Sequence, residues 1–135
     1  MAYWLIKSEP AAYGWDRLMK DGETLWDGVR NNTAAINLRT MKAGDQAFFY
    51  HSVTGKEIVG VVEISQGGLI DPKSTEREWP AVKVKPLRAL KHPVTLAAIK
   101  ADPALKDIEL VRQSRLSVAK IRLAEWEHIL KLAEG

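Results

Sequence analysis

The sequence has no cysteine among its 135 residues. Neither a disulfide framework nor a thiolate metal site is available, so a fold made from it rests on packing. Long apolar runs are missing too, and none approaches the ~18 residues that a membrane-spanning helix needs. The opening MAYWLIKSEP turns polar too soon for a secretory signal, and we expect a cytoplasmic protein with no membrane contact. Histidine is scarce: His51, His92 and His128 stand far apart without ligand-like spacing, so no metal site is expected. No glycine-rich phosphate loop or dinucleotide fingerprint is present, Gly67-Gly68 reads only as a turn, and no cofactor is expected. Nor are there paired carboxylates for acid–base work, since Glu9, Asp27 and Asp45 have turn or loop explanations. Most enzyme classes lack their machinery here.

What is present suits one domain over residues 1–135, with 46% apolar and 27% charged residues and length enough for a real core. The net charge of +3 is unevenly spread. Residues 81–122 carry ten Lys/Arg against Asp102, Asp107 and Glu109, a balance of +7 that leaves −4 for the remainder. A basic region of this kind can neutralise phosphates and make binding depend on salt; it can equally be a solvated face.

Patterning predicts a first strand at residues 3–7, stopped at Pro10, which lacks an amide donor and pushes Glu9 away from helix. A short helix is expected at 15–20, and a second at 33–41 with Thr33 as N-cap and Ile36, Leu38 and Met41 on a buried stripe. Strands at 47–52 and 57–66 read as a hairpin, with 58–64 apolar enough to be buried on both faces. A polar loop from Gly67-Gly68 leads to a long strand at 79–90, a helix at 96–101 capped by Thr95, and a closing strand at 115–118. Leu123, Trp126, Ile129, Leu130 and Ala133 lie at helical spacing and predict a terminal helix. The order fits a mixed α/β (α+β) fold: a small bent β-barrel with helices at its ends.

Four segments set aromatic rings beside polar groups, a mixture that suits a pocket stacking on a flat ring and hydrogen-bonding its edge. In WDGVRN, Gly28 calls for a positive φ, Trp26 can stand at a pocket mouth, and Asn31 carries both donor and acceptor or else caps a helix. In FFYHS, strand alternation puts Phe48, Tyr50 and Ser52 on one face and Phe49 and His51 on the other. His51 and Ser52 then point apart unless a bulge intervenes, which argues against a catalytic dyad. KSEP offers Ser8, and the Gln113–Arg115 turn offers amide, hydroxyl and guanidinium groups between Arg112 and Leu116. Trp79 is either pocket wall or core filler.

Taken in order, these segments closely resemble the EVE domain family, a PUA-like fold related to YTH domains. The likeness runs from Tyr3 to about Leu132 and includes Lys7-Ser8-Glu9-Pro10, Gly28-Val29-Arg30-Asn31, Gly44-Asp45, Phe48–Ser52 and Arg115-Leu116-Ser117-Val118. Two departures stand out. Asn32-Thr33-Ala34-Ala35 replaces a Tyr-x-Ala-Arg pattern, which removes a ring and a charge. Lys120 and Arg122 replace a Pro and a capping Thr before the last helix.

The resemblance implies a barrel with a cavity at one end; YTH domains hold a methylated adenine, and EVE domains are associated with modified cytosines in DNA. Carried over, the base pocket would draw on Ser8, Trp26, Asn31, Tyr50, His51, Ser52, Trp79, Gln113, Ser114 and Arg115, with Trp26 as the stacking residue. A methyl group would fill an apolar corner beside Tyr50 or Trp79. Lys7, Arg30, Arg39, Lys83, Lys85 and Arg112 are the phosphate-binding candidates. The expected protein is a monomeric, non-catalytic module that accepts a flipped modified base, in DNA rather than RNA. Its rivals are an RNA-binding module and a small enzyme on modified nucleosides with His51 as base.

Overall fold

In the computed structural model, which describes Met1–Gly135, alternating apolar residues build one six-stranded sheet. Its strands are β1 (Tyr3–Ser8), β2 (Thr24–Trp26), β3 (Gln46–His51), β4 (Glu57–Ile70), β5 (Pro80–Thr95) and β6 (Val118–Ile121). They lie in the order β2-β5-β4-β3-β1-β6, antiparallel throughout except for the parallel pair β1 and β3. The helices are α1 (Pro10–Tyr13), α2 (Trp15–Asp21), α3 (Asn32–Thr40), α4 (Leu96–Ala101), α5 (Glu109–Arg112) and α6 (Leu123–Glu134). This is the expected mixed α/β architecture with a C-terminal helix. No helix is long and apolar enough to cross a membrane.

The sheet is bent because β4 and β5 slip against each other at four places, where extra residues on one strand kink and twist it. The two end strands, β2 and β6, are not hydrogen-bonded to one another, so the barrel stays open along that seam.

Strand β3 serves two interiors, since successive side chains alternate. Phe48 stacks on Trp126 of α6 at 3.9 Å, and Tyr3 stacks on the same indole at 4.5 Å. Phe49 meets Trp15 and Trp26 edge-on at 5.5 and 5.7 Å. Helix α6 turns Trp126, Ile129 and Ala133 inward, while Leu123 of the expected stripe is exposed. Its start is secured by Glu125, whose carboxylate accepts from the Arg122 amide and guanidinium, both at 2.9 Å. Arg122 has no side-chain acceptor to offer as a cap, and Glu125 compensates.

Tertiary partners move several expected boundaries. Strand β4 runs through Gly67-Gly68 to Ile70, because a side chain at Gly67 would lie 2.6 Å from the Met41 carbonyl and only glycine lets the backbones approach. Strand β5 extends past Leu90 to Thr95, so the Thr95 cap follows it directly. The cap of α3 is Asn31, not Thr33: its Oδ1 accepts from the Ala34 amide at 3.0 Å. Of the expected stripe Leu38 and Met41 are buried, while Ile36 faces solvent and Ala34 and Ala35 complete the buried side. The closing strand begins at Val118, which leaves Arg115 and Leu116 in the turn before it. Helices α1 and α5 and the three-residue β2 had no clear sequence signal.

Candidate functional site

A cleft of about 520 Å³ lies at the open seam, within the range of small-ligand pockets. One lip is the end of β1, from Lys7 to Glu9, together with Tyr13 of α1; the other is β2 and the loop to Asn31. Trp26 is half-buried between them. Its indole is met edge-on by Tyr13 at 6.3 Å and 79° and by Phe49 at 5.7 Å and 76°. These contacts fix the ring plane at little further entropic cost to a ligand that stacks on it.

The loop beyond Trp26 is held from outside the cleft. Gly28 adopts φ +79°, as its turn requires. Its amide donates to Asp71 Oδ2 at 2.7 Å, Arg30 Nη1 donates to the same oxygen at 2.9 Å, and the Lys73 amide donates to Oδ1 at 2.7 Å. Burial pushes the Asp71 carboxyl upward, but these two amides and the Arg30 guanidinium outweigh it and hold it below the ordinary carboxylate value. Arg30 also lies 5.4 Å from the Trp79 ring. Its charge is thus matched inside the protein.

The polar groups of the cleft are partly engaged. Ser8 Oγ donates to the Tyr13 carbonyl at 2.6 Å. Asn31, which lines the cleft, uses its oxygen as the α3 cap, and its NH₂ group remains as a donor. Lys7 Nζ donates to the Ser114 carbonyl at 2.8 Å, and burial holds its ammonium pKa below the ordinary value. Leu25 and Val29 supply apolar wall.

The structure brings Ser8, Trp26 and Asn31 together in this cleft with Lys7 and Arg30. Gln113, Ser114 and Arg115 line an adjoining recess of about 330 Å³ that shares Asn31. Tyr50 and Ser52 open into a different cavity, and Trp79 lines another beside Arg39, so the apolar corner expected from Tyr50 or Trp79 is not part of the cleft. The reason is alternation: the slip beside Phe49 and Tyr50 skips Val59 on β4, leaving β3 regular. His51 follows Phe49 and accepts the Trp15 backbone amide at its Nε2 at 3.1 Å, acting as a cap for α2, whose own N-cap is Gly14. Burial holds the imidazole below its ordinary pKa, against the opposing pull of Glu57 and Asp16.

Among the phosphate candidates, Lys85 pairs with Glu63 at 3.2 Å and Arg112 with Asp107 at 2.7 Å. Arg39 donates to the Glu78 carbonyl at 3.4 Å, and Lys83 sits opposite Leu25 on β5. Sequence reasoning missed Tyr13, Leu25 and Asp71. Only Tyr13, an aromatic close after KSEP, had a signal that pointed to the cleft.

A bent mixed sheet with an aromatic-polar cleft at its open seam is the architecture of the PUA-like class. Within that class the chain belongs to the EVE domain family, whose model matches residues 2–132. A protein from Rhodopseudomonas palustris solved by NMR is 43% identical, with a TM-score of 0.94 over 99% of this chain and 94% of its own. Human thymocyte nuclear protein 1, solved in complex with DNA containing 5-methylcytosine, is 31% identical with a TM-score of 0.89, over 100% of this chain and 99% of that one. A YTH domain from Zygosaccharomyces rouxii, 21% identical with a TM-score of 0.62, covers 98% of this chain and 86% of its own and shares the fold alone.

Proposed function

We propose that this chain binds nucleic acid carrying a modified base, and that the base, a modified cytosine in DNA, is extruded from its strand into the cleft beside Trp26. The observation that carries this reading is a half-buried indole of fixed plane in a cavity of about 520 Å³ that Lys7, Ser8 and Asn31 also line. The human relative crystallised with 5-methylcytosine DNA supports the ligand class. Extruding a base costs a few kcal/mol. One stack on Trp26 returns roughly 1–3 kcal/mol, and phosphate contacts supply the rest. Leu25 and Val29 offer the apolar surface against which a methyl group gains over hydrogen.

The reading is of a binding module rather than an enzyme. His51, the one base candidate, has its Nε2 lone pair committed to the Trp15 amide. The test is a fluorescence titration at fixed moderate salt, with matched duplexes carrying cytosine, 5-methylcytosine, 5-hydroxymethylcytosine or N6-methyladenine, and a structured RNA alongside. One modified duplex should bind tightest. Trp26→Ala should abolish that preference while leaving salt-sensitive binding. Trp26→Phe, which keeps an aromatic between Tyr13 and Phe49, separates lost stacking from lost packing. Preference that survives Trp26→Ala in a folded variant sinks the pocket assignment; tighter binding to RNA moves the function to RNA.

A further inference from the structure

On the other side of Lys7 from the cleft lies a second hollow of about 710 Å³. Lys7, Lys56 and Lys100 line it, and no aspartate or glutamate does. None of the three enters an ion pair, whereas Arg30, Lys85 and Arg112 each have a carboxylate within 3.2 Å.

The backbone builds this convergence. Lys56 ends the β3–β4 turn at φ +43°, and its carbonyl accepts the Leu96 amide at the start of α4 at 2.8 Å. Lys100 follows about one helical turn later, so both side chains border the same recess. Lys7 arrives from β1, its Nζ tied to the Ser114 carbonyl and 6.0 Å from the Tyr50 ring centre, with two of its three donors unused. Leu110 and Val111 line the hollow, and Tyr50, Ser52 and Ser114 add hydroxyl groups.

Three lysines thus border one concavity that no acid lines. A compact anion with several acceptor oxygens would match their charge and take up the free donors. We propose that this hollow holds the phosphodiester backbone of the strand whose base enters the cleft, with Lys7 as the wall between base and phosphate. The proposal rests on the base-binding reading and assigns the track of its strand.

The test uses the full chain and the Lys56→Ala/Lys100→Ala double variant, neither position lining the base cleft. Lys20→Ala/Lys131→Ala, two exposed lysines outside both cavities, is the control. Each protein is titrated over a salt series with modified and unmodified duplexes. The double variant should lose roughly tenfold affinity for every duplex, and its slope of log K against log salt should shrink by about 1.8, while the modified-to-unmodified ratio stays unchanged. The control should match the parent. An unaltered slope in the double variant, or an equal change in the control, overturns the proposal. Should the parent show no modified-base preference while the slope still shrinks, the base reading fails and the phosphate hollow stands. No binding of any duplex by the parent overturns both.

Discussion

Phe48 and Phe49 are neighbours in sequence, yet they serve interiors of different construction. On the Phe48 side the rings lie nearly parallel, 21° between Phe48 and Trp126 and 27° between Tyr3 and Trp126, and α6 seals the layer. On the Phe49 side the rings cross at 66° to 79°, through Trp15, Trp26, His51 and Tyr13, and the layer ends at the cleft. Stacked rings cover each other's faces, whereas edge-on rings leave a face free for a flat ligand. One strand thus supports a closed interior and an interior with an outlet.

The comparison predicts that damage on the two sides reads out differently. The largest effect belongs to Trp126→Ala, which empties the closed side and should cost about 4 kcal/mol in urea denaturation. Its preference among modified duplexes should match the parent's, and a lost preference in the folded variant would break the division. Next comes Gly60→Ala on the outlet side. A methyl there would lie 2.4 Å from the Trp15 ring, which is buried and already packed on Phe49, so overpacking should cost about 3 kcal/mol.

The smallest effect belongs to His51. Its folded pKa lies below the ordinary imidazole value of about 6.5. The unfolded chain therefore binds the proton more readily, and the stabilisation is fully present above pH ~6.5 and declines as pH falls below that toward the folded pKa. Melting temperature should drop between pH 7.5 and 5.5, and His51→Gln, which can still accept the Trp15 amide, should flatten that slope. An unchanged slope would assign the pH dependence elsewhere.

Much of this division was legible in the sequence. Alternation alone separated Phe48 and Tyr50 from Phe49 and His51, the Asp27-Gly28 pair announced its turn, and Thr95 caps the helix it was expected to cap. These features depend on neighbours a few residues away. What stayed hidden depends on partners far along the chain. Asp71 reads as a loop acid until Gly28, more than forty residues earlier, donates to it. Arg30 looks like a free cation until Asp71 matches it, and Lys56 and Lys100 look unrelated until a hydrogen bond joins the β3–β4 turn to α4. Charge composition located a basic segment but could not say which cations were already paired.

The unpaired seam between β2 and the β1–β6 end has a further consequence. In the free protein the sheet is a ring missing one rung, and α3 bridges the gap, packing on both β5 and β6 with Asn37 Nδ2 donating to the Val118 carbonyl at 2.7 Å. A ligand lodged in the gap supplies that rung and ties together parts of the chain more than eighty residues apart, from Trp26 to Ser117. Occupancy is thereby linked to the melting of the whole sheet, worth about 2.7 kcal/mol at a hundredfold excess over Kd. The protein's own melting temperature thus becomes a label-free gauge of what it has bound.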